Sequence, residues 1–169
     1  MDAQTLHSTI KISRDLMRKD EGLSSDVERL PQFSWMLFLK CFHDHEVKRE
    51  KNSKKYIRIL PNNLRWEYWT NSKNIPNSKL ISFVNDILFP KLSSLDDGKS
   101  SQKQHIASMF KGFKNSVQSP SILRQIIEKI DTLSFASSDD IHTMAKMYED
   151  MLIEMKDASG QNGEFYTPR

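Results

Sequence analysis

The stretch "SSDVERLPQFSWMLFLKCFHDHE", residues 24–46, decides the fold. Trp35, Met36, Leu37, Phe38, Leu39 and Phe42 follow one another so closely that a helix through them is apolar nearly all round. A helix with no polar stripe has to be enclosed by others, so this one is expected at the centre of the domain. Ser24 or Ser25 can cap its start, and acids fill its first turn, where they face the positive end of the helix dipole. Pro31 is expected to interrupt or restart the helix, since an interior proline removes a hydrogen bond and crowds the preceding turn.

The neighbouring segments read as helices made to surround it. Upstream, Leu6, Ile10, Ser13 and Met17 in "LHSTIKISRDLMRKD" share one helical face, and Gly22 opens the turn "GLSSD". Downstream, "YIRILPNNLRWEYWT" is the least helical region. Tyr56, Ile57, Ile59 and Leu60 suggest a short extended piece, and Pro61-Asn62-Asn63 a turn. In "NSKLISFVNDILFPKLSSL" a single face collects Leu80, Phe83, Val84, Ile87 and Leu88, with Pro90 near the helix end. "DDGKSS" is an exposed turn, and a short helix around "KQHIASMFKGF" stops at Gly112. Ser119 then caps a helix whose first residue is Pro120, the favoured order. A last stripe of Ile141, Met144, Ala145, Tyr148, Met151, Leu152 and Met155 predicts a closing helix.

The fold class expected is therefore all-α, a single globular domain of about six or seven helices. A chain of 169 residues with only five glycines suits that expectation. Its single cysteine, Cys41, excludes an internal disulfide and any multi-cysteine zinc site. No apolar run is long enough to span a membrane, and "MDAQTLHSTIK" has no signal-peptide core, so a soluble, cytoplasmic protein is expected.

Charge is polarised along the chain. From Lys48 to Arg58, "KREKNSKKYIR" carries Lys48, Arg49, Lys51, Lys54, Lys55 and Arg58 against Glu50 alone, a local +5. From Asp139 to Asp157 six acids face Lys146 and Lys156, a local −4. One region suits an anion and the other a protein surface.

Few residues suggest chemistry. His43 and His45 lie two apart and point to opposite sides of a helix, so they are read as a solvated helix end with no metal site. Cys41 inside an apolar helix is read as a core thiol with a raised pKa. The methionines of the last stripe are read as core. "RWEYW", Arg65 to Trp69, either pins its coil to the core or joins the basic run in a nucleic-acid groove. The basic run is either a solvated loop or a set of phosphate contacts. There is no Walker loop, G-x-G-x-x-G or serine elbow, and residues 1–160 contain nothing that reads as a catalytic site.

The chain closes on "GEFYTPR", residues 163–169, in which Pro168 holds Thr167 extended beside two aromatics. That segment resembles the motif opening the catalytic domain in modification subunits of type I restriction–modification systems, which are adenine-N6 DNA methyltransferases. "LMRKDEGLSSDVERLPQFSWMLFLKCFHDHE", "LRWEYW", "LISFVNDILFPKL" and "DIHTMAKMYEDMLIEMKDASGQNGEFYTPR" are similar, in the same order, to the helical N-terminal domain of that family.

The resemblance implies a helical N-terminal domain over residues 1–157. Residues 158–169 would be a linker and the first segment of an absent α/β methyltransferase domain. Glu164, Phe165, Tyr166, Thr167, Pro168 and Arg169 would form the first strip of an S-adenosylmethionine site. The family's glycine-containing loop and Asn-Pro-Pro-aromatic motif lie downstream of this point, so no catalytic residue is expected here, and tight cofactor binding by residues 1–169 alone is not expected. Implied partners are double-stranded DNA, a specificity subunit, a second modification subunit and a restriction subunit. The rival reading is a stand-alone helical adaptor that binds protein or nucleic acid without catalysis.

Overall fold

Helix α2, Asp26–Asn52, forms the axis of the domain in the computed structural model, which describes residues 3–137 and Lys146. Ser25 takes the extended N-cap conformation. Its hydroxyl and that of Ser24 donate to the Glu28 carboxylate at 3.4 and 3.0 Å. The expectation that Pro31 breaks the helix is corrected: α2 runs through it without a gap. Pro31 lies on the exposed side close to the N-terminus, where solvent can satisfy the carbonyl that a proline leaves without a donor. Leu30, Phe33, Trp35, Met36, Leu37 and Leu39 are buried, with Phe38 and Phe42 packed beside them.

Helix α1, Ala3–Met17, lies against α2 and against α7, Pro120–Asp131. The four expected inward positions Leu6, Ile10, Ser13 and Met17 are all buried. Two side chains join this layer to the segment preceding α7. The buried Asp20 carboxylate accepts from the backbone N–H groups of Gly22, Gln118 and Ser119 at 2.8–3.1 Å. Buried Gln32 donates to the Lys114 carbonyl at 3.1 Å and accepts from Ser116 N–H at 3.1 Å and Trp35 Nε1 at 3.0 Å. A Cβ on Gly22 would lie 2.0 Å from the Ser116 carbonyl oxygen, so only glycine permits this approach.

The coil after α2 forms no strand. It passes through a 3₁₀ turn, Asn62–Leu64, into the four-residue helix α3, Trp66–Trp69. Of the two readings of "RWEYW", core pinning is the observed one. Trp66 and Trp69 are fully enclosed, their rings meet edge to face at 5.3 Å, and Trp66 Nε1 donates to Asp131 at 2.8 Å. Trp69 in turn contacts Trp35 of α2, and Trp35 meets Phe89 edge to face at 4.9 Å.

Helix α4, Asn77–Phe83, continues through a π turn, Val84–Leu88, into α5, Phe89–Ser93. The wide turn closes with Phe89 N–H donating to the Val84 carbonyl, and it sits just before Pro90, which has no N–H of its own. It changes the facing expected from an ideal helix. Leu80, Phe83, Val84 and Leu88 are buried as expected, but Ile87 is turned out and 37% exposed, while Phe89 and Leu92 go in.

Helix α6, Ser101–Phe110, packs on α5 and ends before Gly112, whose φ of +75° is a left-handed value suited to glycine. The Ser119 hydroxyl caps α7 by accepting from Ile122 N–H at 3.2 Å, and Leu123, Ile126, Ile127 and Ile130 face the core. Among the described residues every regular element is helical, in agreement with the all-α expectation. None of these helices is long and apolar enough to cross a membrane. Apart from Lys146, the expected last helix falls outside the described residues, as do residues 158–169.

Candidate nucleic-acid interface

The basic run straddles a helix end. Lys48, Arg49 and Lys51 lie on the last turns of α2, a helix that ends four residues into the run. Lys54 and Lys55 form a turn, and Tyr56 to Leu60 folds back against α2. What holds this return is Glu46, a carboxylate only 2% exposed, which accepts from Tyr56 Oη at 2.8 Å and from Ile59 N–H at 2.6 Å. Burial and then the Glu46 bond push the Tyr56 phenol above its ordinary pKa, so it remains a donor.

Arg58 departs from the expectation for the run. Its guanidinium turns inward between Glu50, at 3.1 Å, and Glu67 of α3. Burial alone would lower its pKa, but the hydrogen bonds and charges of Glu67 and Glu50 outweigh that and hold it above the usual arginine value. Arg58 therefore ties the loop to α2 and α3, and its charge is already balanced. Lys48, Lys51, Lys54 and Lys55 are exposed and make no ion pair among the described residues. With Glu46 and Glu67 counted beside Glu50, six cations face three acids, so the patch keeps a net +3.

A hollow of about 300 Å³ lies beside the patch, lined by His43, Asp44, Val47, Lys48, Lys51 and Asn52 of α2 and by Ser134 and Ala136. Burial lowers the His43 pKa, so the imidazole adds no charge there at neutral pH. The reading of His43 and His45 as a solvated helix end is corrected, because α2 continues past them and both are half-buried in its middle. Among the described residues no cluster of three or more His, Cys, Asp or Glu is placed to hold a metal ion. Cys41 is a core-facing thiol as expected, raised to a pKa of about 11 by burial and by neighbouring Asp44.

The family profile of the HsdM N-terminal domain matches residues 6–130. The chain belongs to that family. As an HsdM N-terminal domain it is 38% identical over 168 residues to the "Type I restriction enzyme EcoEI methylase subunit" of Escherichia coli. That match takes in 98% of this chain and 34% of the relative. Its fold matches the crystal structure of a modification subunit from Vibrio vulnificus YJ016 with a TM-score of 0.87 and 36% identity, over 99% of this chain and 38% of that one. A second structure, from work on complex assembly and conformational transition of the type I R-M system, matches with a TM-score of 0.80 and 29% identity. It is covered over 34% of its length by the whole of this chain. The HsdM N-terminal domain thus spans about a third of the length of each of these relatives.

Sequence reasoning found the patch but not what shapes it. Glu46 stood out only as the end of "HDHE", and Glu50 and Glu67 only as isolated acids. No spacing rule joins Glu46 to residue 59 or Glu67 to residue 58, because a loop that folds back has no fixed period.

Proposed function

We propose that this domain is the helical N-terminal part of a DNA methyltransferase modification subunit. The parent transfers a methyl group from S-adenosylmethionine to adenine N6 in double-stranded DNA, in the cytoplasm. The family membership, with a fold shared over nearly the whole chain with a modification subunit, carries this reading. In it, Glu164 to Arg169 begin the cofactor site. The domain acts as a clamp arm on DNA and packs on a specificity subunit, a second modification subunit and a restriction subunit.

The patch at the end of α2 supports the DNA-contacting role. Lys48, Arg49 and Lys51 project from the last turns of α2, and Lys54 and Lys55 from the loop that Glu46 and Arg58 anchor to it, so the cations share one end of the domain. Phosphate contacts set position and carry no sequence information, which suits an arm acting beside a separate base-reading subunit. Arg58 contributes by holding the loop.

The test replaces Lys51, Lys54 and Lys55 by alanine in the assembled parent enzyme and measures DNA affinity across a salt series. Each lost phosphate contact is expected to flatten the plot of log affinity against log salt by about 0.9, with the preferred sequence unchanged. An unchanged slope returns the patch to solvent.

A further inference from the structure

Ile57 stands on the returning limb of the anchored loop, just after its Lys54–Lys55 turn, and 84% of it is exposed. The next most exposed large apolar residue among those described is Val27, at 45%. Isolated surface hydrophobes need no explanation on their own. Here the chain is tied down on both sides: the Tyr56 hydroxyl and the Ile59 N–H donate to buried Glu46, and the Arg58 guanidinium lies between Glu50 and Glu67. A free loop could fold Ile57 onto the protein, whereas this one holds it outward. Its near neighbours Lys54 and Lys55 are exposed cations.

We infer that Ile57 is an apolar contact residue for duplex DNA, packing on the deoxyribose wall of a groove while the adjacent lysines meet the flanking phosphates. The inference rests on the DNA-contacting reading and deepens it. Charge complementarity commits the occupant to a polyanion, and duplex DNA combines dense negative charge with an apolar sugar edge in reach of a short side chain. An apolar side chain set against a groove among basic residues is a recurrent arrangement in DNA binding.

The two kinds of contact separate experimentally. In the assembled parent enzyme, Ile57→Ser is expected to weaken DNA affinity roughly three- to tenfold, the scale of one partly buried aliphatic side chain. It should do so without changing the salt slope, because no counterion is released. Ile57→Val, which keeps most of the apolar surface, is expected to retain binding. Unchanged affinity for Ile57→Ser, alongside a flattened slope for the lysine variant, overturns this inference and leaves the DNA reading standing. If neither variant has an effect, both fail. Ile57→Ser that impairs subunit assembly in sedimentation analysis, with DNA affinity lost only in proportion, places Ile57 in a protein contact and also overturns the inference.

Discussion

Two irregular segments follow α2, one before α3 and one after it, and they are built in opposite ways. Residues 53–60 are held by a buried acceptor: Glu46 collects the Tyr56 hydroxyl and the Ile59 N–H. Residues 70–77 are held by a buried donor. Arg124 of α7 donates to the carbonyls of Thr70, at 2.6 Å, and Ile75, and to the Asn77 side chain at 2.8 Å. Burial lowers the Arg124 pKa, with Glu128 opposing it. The first segment directs Lys54, Lys55 and Ile57 outward; the aromatic stretch leading into the second sends Trp66 and Trp69 into the core. Basic and aromatic residues that adjoin in sequence are thus divided between surface and interior, which rules out the two tryptophans as a stacking platform for bases.

The largest effect is expected from breaking the inward half. Trp69→Ala removes a fully enclosed ring that touches Trp35, Trp66 and Phe83. It should cost about 3–5 kcal/mol in urea unfolding; a loss below about 1 kcal/mol would mean that the segment is not held by its tryptophans. Arg124→Ala leaves the Thr70 and Ile75 carbonyls without their donor and is expected to cost about 2–3 kcal/mol. Glu46→Ala should cost less, about 1–2 kcal/mol. Its sharper signature is faster amide exchange at Ile59 with protection in α7 intact. Equal exchange at Ile59 in the variant and the parent would show that the loop stands without Glu46.

The smallest effect concerns His43. Its pKa lies below the ordinary 6.5 because burial disfavours the cation, so the unfolded chain takes up a proton more readily than the folded one. Stability should therefore fall as pH drops below about 6.5, and His43→Gln should flatten that dependence. A steeper acid dependence in the variant would reverse the sign.

Much of this was legible because local rules and tertiary demands agree. Ser119-Pro120 starts α7, the α1 face is buried as spaced, and the apolar run of α2 lies at the centre. Disagreement arose wherever one local rule met a second influence. Pro31 is tolerated because it faces outward near a helix start. Ile87 points out because a π turn ahead of Pro90 resets the helical phase. Arg58 turns inward because Glu50 and Glu67, eight and nine residues away, pair with it. Of the candidate site, the cations could be read directly, and the anchors could not, since side chain-to-backbone bonds across a returning loop follow no periodicity.

The Asp20 carboxylate has a consequence for how the domain is made. Its partners Gln118 and Ser119 lie 98 and 99 residues later, the Gln32 partners 82 and 84 later, and Asp44 waits for Phe135, 91 residues on. During synthesis at roughly 5–20 residues per second, the first helix leaves the ribosome on the order of 5–20 seconds before the residues that secure it exist. The face of α1 that packs on α7 must spend that interval uncovered. The core is completed late, when α7 emerges to close over a helix made about a hundred residues earlier.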